Sequence, residues 1–140
     1  MKSLSAKLRV TSAVMALVLF AYEIGLGAEW KFYGTNEEGS YFYEAGSMAR
    51  LSKYIVRVYV KSVYTEKGIF HWVSGGGEEF QNLDFSLILS DYNCLERSIR
   101  YLSIVFCSKN GEVFYPMNND EWHFFAPDSM SGTLLEEICK

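Results

Sequence analysis

Three cysteines are the residues of this sequence with the widest choice of chemistry. Cys94 and Cys107 stand thirteen residues apart in the stretch DYNCLERSIRYLSIVFCSKNGEVF, and Cys139 is the second-to-last residue. Three thiols cannot all pair within one molecule, so at least one of them reacts, bonds to another molecule or packs as a small apolar residue. Thirteen residues of extended chain hold Cys94 and Cys107 too far apart to bond to each other.

Histidines and paired carboxylates are the other candidates for chemistry. His71 and His123 each adjoin a tryptophan, but they are far apart in sequence and have no second ligand at metal-binding spacing. The carboxylate pairs at 37–38, 78–79 and 120–121 could serve as acid and base, but solvated loop charge explains them as well. The sequence lacks the motifs of serine hydrolases, zinc proteases, phosphate loops and haem attachment. We therefore expect no enzyme activity, no metal and no other cofactor.

Residues 1–28 have the features of a secretory signal peptide. Three basic residues precede a mostly apolar run at 10–22, and residues 25–28 (GLGA) supply the small side chains of a cleavage site. The apolar run falls short of the roughly 20 residues of a membrane span, so we do not expect an uncleaved anchor. Residues 29–140 are then a single mature domain, exported to the periplasm, the outer cell surface or the medium.

The mature chain is acidic. The full sequence has 13 Lys plus Arg and 17 Asp plus Glu, and the signal peptide takes away three basic residues and Glu23, which leaves 10 against 16, a formal net charge of −6. Without clustered Lys and Arg, neither nucleic acid nor an anionic membrane surface is an expected partner. Exported domains of this length often support a modest core with a disulfide.

Alternating apolar and polar residues predict an antiparallel sheet of about six strands. The predicted strands cover residues 29–34, 41–44, 50–65, 83–92, 98–107 and 112–115. Asn110 and Gly111 predict a hairpin turn before the last strand. In the longest strand one face carries Tyr54, Val56, Val58 and Val60, and the other carries Ile55, Arg57, Tyr59, Lys61 and Val63. One face is apolar and one is mixed, as in a sheet with one side solvated or covered by a helix.

A helical period appears at the end of the chain. Met130, Leu134 and Ile138 recur every four residues, which predicts a C-terminal helix that begins at Asp128 or Ser129. Its apolar side must pack on the sheet, so the predicted fold is α+β. Cys139 lies on this helix and can reach either other cysteine. Because those two are an odd number of residues apart, only one of them faces the helix, and the periodicity does not say which.

The segment 68–80 (GIFHWVSGGGEEF) breaks the strand pattern. It contains three consecutive glycines beside an aromatic cluster, which we interpret as an irregular, mobile loop. Phe70, His71 and Trp72 in this loop are a candidate partner-binding site, because aromatic side chains bring large contact area with few rotatable bonds. The alternative is that they cover an edge of the sheet.

Several segments of the mature chain resemble the surface-adhesin protein E family. The most specific are DYNCLERSIRYLSIVF, KNGEVF and WHFFAPDSM, followed by LLEEIC at the end of the chain. They match a cysteine that opens a basic strand, an Asn-Gly hairpin, a tryptophan before a Pro-x-Ser helix start, and a closing cysteine. The earlier segments EWKFYG, YFYEAGSMAR and VRVYVKS fit the aromatic hairpin of the family and the strand after it. The resemblance covers most of the mature chain.

The resemblance implies a disulfide that ties the C-terminal helix to the antiparallel sheet, and this bridge maps onto Cys94 and Cys139. Cys107 is then the spare thiol, which we interpret as a small apolar packing residue. Family members are associated with binding to host cells and matrix proteins. We therefore expect an exported, non-enzymatic binding module, adhesin-like, that recognises a protein or extracellular-matrix partner. The alternatives are a periplasmic or envelope accessory domain that stabilises an assembly, and an enzyme.

Overall fold

Eight strands form one antiparallel sheet in the computed structural model, which describes residues 28–115 and 120–140. The strands are β1 Trp30–Asn36, β2 Gly39–Glu44, β3 Ala49–Arg50, β4 Ile55–Tyr64, β5 Leu83–Asn93, β6 Ser98–Ser108, β7 Val113–Phe114 and β8 His123–Phe124. The helices are α1 Glu66–Gly76 and α2 Met130–Ile138, with a 3-10 turn at Glu78–Phe80. The predicted signal peptide lies outside the described residues.

The sheet is six strands wide. Its order is β1-β2-β4-β5-β6-β7, while β3 pairs with β4 and β8 pairs with β6. The short strand β3 pairs with β4 at Val56 and Arg57, beyond the part of β4 that β2 occupies. In the same way β7 and β8 pair with opposite ends of β6. The predicted α+β fold with an antiparallel sheet and a C-terminal helix is confirmed. The structure adds β3 and β8, which have two residues each and are too short to show an alternating pattern in the sequence.

Period-two alternation divides the side chains of β4 between two faces, as predicted. Val56, Val58 and Val60 are at most 6% exposed and belong to the core. Both helices pack on this face of the sheet, and each covers one end of it. The apolar side of α2 (Leu134, Leu135 and Ile138) packs against the valines together with Tyr43, Tyr92 and Ile99. At the other end, Ile69, Trp72 and Val73 of α1 pack around Phe80, Leu83 and Phe106.

The C-terminal helix begins and ends as its sequence indicates. Ser129 is the N-cap, and its Oγ accepts a hydrogen bond from the backbone N–H of Gly132 at 3.2 Å. At the other end Cys139 forms a disulfide with Cys94, with the two Cα atoms 5.7 Å apart. The bridge implied by the family resemblance is therefore present, and Cys107 is the free cysteine.

The interpretation of residues 68–80 as an irregular loop is wrong. The helix α1 begins earlier, with Thr65 as its N-cap, whose Oγ1 accepts a hydrogen bond from the backbone N–H of Gly68. Ile69, Trp72 and Val73 then provide the apolar side of a short helix. The glycines that suggested a loop lie at its end, where Gly77 has a φ of 104° and terminates the helix.

Candidate functional site

A tyrosine-lined cavity of about 240 Å³ lies on the helix-covered face of the sheet, between α1 and α2. Five strands contribute one tyrosine each: Tyr33 from β1, Tyr41 from β2, Tyr64 from β4, Tyr92 from β5 and Tyr101 from β6. The cavity therefore exists only once the sheet has assembled. We call it the tyrosine cavity.

Register shifts lie beside two tyrosines of this cavity, and one of them changes the face on which its tyrosine lies. In β1 the register against β2 shifts around Tyr33. In β6 the register against β5 shifts so that one extra residue separates Ser103 from Tyr101. Without the bulge, Ser103 and Tyr101 would lie on the same face of the sheet. The extra residue brings Tyr101 to the helix-covered side.

The tyrosines of the cavity keep their protons at neutral pH. Burial raises the pKa of Tyr33, Tyr64 and Tyr101 above the ordinary value of a phenol. Burial also holds the pKa of Tyr92 well above that value, and the nearby hydroxyls of Tyr33 and Tyr101 raise it further. A neutral phenol both donates and accepts hydrogen bonds, so the tyrosines give the cavity a hydroxyl-rich, uncharged lining.

Two serines interrupt the apolar floor of the cavity. Ser62 and Ser90 lie among Val60 and Ile88 on neighbouring strands, where a larger side chain would fill the space. Ser90 is 1% exposed, and its Oγ has no hydrogen-bond partner among the residues that the structure describes. Buried hydroxyls in proteins normally have a partner in protein, water or ligand. The wall of the cavity thus carries a hydroxyl whose hydrogen-bonding capacity the protein itself does not use.

Ionisable side chains occur at the mouth of the cavity. The Nδ1 atom of His71 on α1 lies 3.4 Å from Oε1 of Glu38 in the β1–β2 turn, and both side chains are substantially exposed. Among the described residues that line the cavity, none is Lys or Arg. The interior therefore offers hydroxyl groups and apolar surface, and the charged groups stay at the entrance.

The opposite face of the sheet, which points away from both helices, is also largely apolar. Its register rows place aromatic and aliphatic side chains of neighbouring strands side by side. We define the open face by Phe32, Phe42, Tyr59, Val63, Phe85, Leu87, Leu89, Val105 and Val113. Phe32 is 58% exposed, Tyr59 is 43% exposed and Val113 is 52% exposed. Contiguous exposed apolar surface of this kind marks interaction sites in soluble proteins.

A lysine stands in the middle of the open face. Lys61 pairs with Phe42 on one side and with Leu87 on the other. Its Nζ lies 4.7 Å from the ring centroid of Phe85 and 6.0 Å from that of Trp30. The two aromatic rings therefore hold the ammonium group over the apolar surface by cation–π attraction.

An ion cluster closes one end of the open face. Asp91 is fully buried and accepts hydrogen bonds from Arg57 at 2.8 and 3.1 Å and from Arg100 at 2.8 Å. Burial alone would raise the pKa of Asp91, but the hydrogen bonds from the two arginines outweigh it and lower that pKa below its ordinary value. Arg100 also lies under the ring of Trp122, 4.8 Å from its centroid. The cluster joins β4, β5 and β6 and leaves two partly exposed cations beside the apolar surface.

The three residues predicted to form a partner-binding loop take separate places on α1. Trp72 packs against Phe80 and Phe106 and belongs to the core of that end of the sheet. His71 stands at the mouth of the tyrosine cavity, and Phe70 is 71% exposed on the surface. The structure therefore brings His71 and Trp72 together in the lining of the tyrosine cavity, whereas Phe70 is not among its lining residues.

The spare thiol has a neighbourhood that favours the protonated form. Cys107 pairs with Phe85 on one side and Val113 on the other, and its side chain is partly buried. Burial raises its pKa, and the negative charge of Asp84 raises it further. Reactive thiols have lowered pKa values and positive surroundings, so this environment is typical of a packing residue.

The part of the chain that the structure describes contains no cluster of three or more His, Cys, Asp or Glu side chains placed to hold a metal ion. His123, one of the two histidines considered above, lies on the short strand β8, beside the ring of Tyr101.

Sequence reasoning missed the tyrosine cavity. One signal was available: Ser62, Ser86 and Ser90 interrupt core-facing positions of β4 and β5 that otherwise carry larger side chains. Recognising that tyrosines converge there required the register of five strands and the position of both bulges.

Comparison with protein-family models, with curated proteins and with solved structures found no match. Within residues 28–115 and 120–140, no helix is long and apolar enough to cross a membrane.

Proposed function

We propose that the mature chain is an exported, non-enzymatic binding module, adhesin-like, that holds a protein or extracellular-matrix partner through the open face of its sheet. The single observation that carries this proposal is the apolar surface around Phe32, Tyr59 and Val113, which lies on the side of the sheet away from both helices. The disulfide between Cys94 and Cys139 fits an oxidising compartment outside the cytoplasm. The resemblance to the surface-adhesin protein E family supports the same class of function.

The chemistry of the open face indicates what its partner offers. Aromatic and aliphatic side chains surround Lys61 on this face, and rigid aromatic anchors are the residues that most often dominate binding energy. Lys61, Arg57 and Arg100 place cations on this face of a chain whose net charge is negative. The partner is therefore a largely apolar protein surface that also carries acidic groups, and its association rate falls as salt concentration rises.

Binding to a panel of purified extracellular-matrix and envelope proteins tests the proposal. Surface plasmon resonance with the mature chain identifies the partner, and the same assay then compares two variants. Tyr59→Ser removes an exposed aromatic side chain from the open face, and we expect it to weaken binding by about tenfold or more. Because Tyr59 is substantially exposed, its loss leaves the melting temperature nearly unchanged.

Phe70→Ser is the control, because it removes an exposed aromatic side chain from α1, where Phe70 is 71% exposed against 43% for Tyr59. Loss of binding in Phe70→Ser with full binding in Tyr59→Ser would move the contact surface to α1 and overturn the assignment to the open face. No binding to any member of the panel would argue against an adhesin-like role.

Protease treatment of intact cells separates an adhesin from an envelope accessory domain. An adhesin on the outer surface is released or degraded by the protease. Protection of the chain until the outer membrane is breached would contradict surface adhesion and favour the accessory domain.

A further inference from the structure

The tyrosine cavity is a second binding site, on the face of the sheet opposite the open face. Its floor and walls combine hydroxyl groups with apolar side chains from both helices and five strands. Ser90 Oγ is fully buried at its wall and has no hydrogen-bond partner within residues 28–115 and 120–140. A ligand hydroxyl or an ordered water completes such a site.

The lining selects against charged ligands. Among the described lining residues no Lys or Arg is present to pair with a carboxylate or phosphate. The carboxylate of Glu38 lies at the mouth beside His71, and both are exposed to solvent, so neither neutralises a cation held deep in the cavity. The protonated tyrosines contribute no net charge, and burial of an unpaired ion is unfavourable.

Hydroxyl groups suit a ligand that itself carries hydroxyl groups. Each tyrosine or serine hydroxyl both donates and accepts, as does each hydroxyl of a sugar or polyol. Val60, Ile88 and Met130 supply apolar surface for the C–H groups of such a molecule. The volume of about 240 Å³ is below the roughly 300 to 1,000 Å³ of sites for drug-sized ligands, which limits the ligand to about one ring.

We propose that the tyrosine cavity binds a small, uncharged, polyhydroxylated molecule of about the size of one monosaccharide. The molecule enters past Glu38 and His71, and a shift of the cavity wall on binding lets one of its hydroxyls pair with Ser90 Oγ, which is closed to solvent in the unliganded structure. Tyr101, placed on this side by the bulge in β6, supplies a second hydroxyl. This site is independent of the partner proposed for the open face.

Nuclear magnetic resonance titration of the mature chain tests the proposal. The probes are D-glucose, D-galactose and N-acetyl-D-glucosamine, with choline and acetate as small charged comparisons. We expect saturable shifts of backbone amides around Ser62, Ser90 and Tyr101 with at least one sugar, and no saturable shifts there with choline or acetate. Sugars that leave these amides unchanged would overturn the proposal and indicate a cavity that holds only water. Stronger binding of either charged probe would also overturn it.

Two variants locate the bound sugar. Ser90→Ala removes the unpartnered hydroxyl and Tyr101→Phe removes one phenol, and each should weaken sugar binding by about tenfold. A purely structural role for Ser90 would not predict this effect, because its Oγ makes no hydrogen bond to the described part of the chain. We therefore expect Ser90→Ala to weaken binding without lowering the melting temperature.

Tyr54→Phe is the control, since Tyr54 is exposed and does not line the cavity. It should bind sugar as the unmodified chain does. Sugar binding that is unaffected by both Ser90→Ala and Tyr101→Phe would place the sugar elsewhere and overturn the assignment to this cavity.

Discussion

Cys94 and Cys139 join the turn after β5 to the end of α2, across 45 residues of sequence. Between them the chain forms β6, β7, β8 and α2, so the bridge encloses three of the eight strands together with the C-terminal helix. Closing a loop of this length removes conformational entropy from the unfolded chain, which stabilises the fold by about 4 kcal/mol.

Loss of this bridge should destabilise the domain strongly. We expect Cys139→Ser to lower the free energy of unfolding by about 4 kcal/mol, because the unfolded chain regains the entropy of the open loop. Cys107→Ser is the control, since Cys107 is free and only partly buried, and it should change stability much less. Urea denaturation monitored by circular dichroism measures both. A larger effect in Cys107→Ser would contradict the structural role assigned to the bridge.

The buried carboxylate of Asp91 should make the fold sensitive to acid. Its pKa in the folded state is lowered below the ordinary value of 3.8, chiefly because the hydrogen bonds from Arg57 and Arg100 outweigh the effect of burial. Its contribution is therefore complete above the pKa of the unfolded chain and is lost as pH falls through the folded-state pKa. We expect the free energy of unfolding to decrease progressively below about pH 4.

Substitution isolates this contribution. Asp91→Asn leaves two arginines without their counterion, and we expect a loss of about 2 kcal/mol at neutral pH, less than for a fully buried pair because both arginines reach solvent. The free energy of unfolding of the variant should also decrease less as the pH falls below about 4. Glu37→Gln removes a carboxylate from an exposed pair with Lys67 and should change little. Acid dependence that is equal in Asp91→Asn and the unmodified chain would show that other groups govern it.

Two glycines of α1 should respond oppositely to alanine. A Cβ at Gly68 would overlap the backbone carbonyl of Glu38, so Gly68→Ala must displace α1 from the β1–β2 turn. A Cβ at Gly75, in the same helix, would meet no atom of the described residues within 4 Å. We expect Gly68→Ala to destabilise the fold by about 2 kcal/mol and Gly75→Ala to stabilise it by up to about 1 kcal/mol.

Thermal denaturation of the two alanine variants provides the measurement. Equal melting temperatures for both would mean that α1 does not contact the β1–β2 turn as closely as the structure shows.

The buried tyrosines should make the fold unstable at high pH. Burial raises the folded-state pKa of Tyr33, Tyr92 and Tyr101, whereas in the unfolded chain a tyrosine ionises near pH 10. Above about pH 10 the unfolded chain therefore binds fewer protons than the folded one, and rising pH favours unfolding. Absorbance at 295 nm and circular dichroism recorded together should show tyrosinate formation coinciding with loss of structure.

Tyr33→Phe should lower the number of protons released on alkaline unfolding by about one, because it removes one of the buried hydroxyls. Complete ionisation of the tyrosines with an unchanged circular dichroism spectrum would contradict the burial of the cavity hydroxyls.

The sequence by itself determined most of the sheet and the C-terminal helix. Alternation in β4 assigned Val56, Val58 and Val60 to one apolar face, because successive side chains of any strand point to opposite faces of the sheet. Ser129 and the four-residue apolar spacing specified α2, because caps and helical faces are local properties. The choice of Cys94 as the partner of Cys139 came from family resemblance, and periodicity left it open.

Tertiary structure decided α1 and the tyrosine cavity. The glycines of residues 68–80 led to the prediction of a loop. The structure has a helix there, capped by Thr65, which forms because its aromatic side packs on Phe80 and Phe106. Packing of this kind overrides weak local propensity. The cavity needs the register of five strands and a bulge that turns Tyr101 to the covered face. A one-residue change of register reverses the face of every following side chain, so only the paired sheet could determine which tyrosines meet.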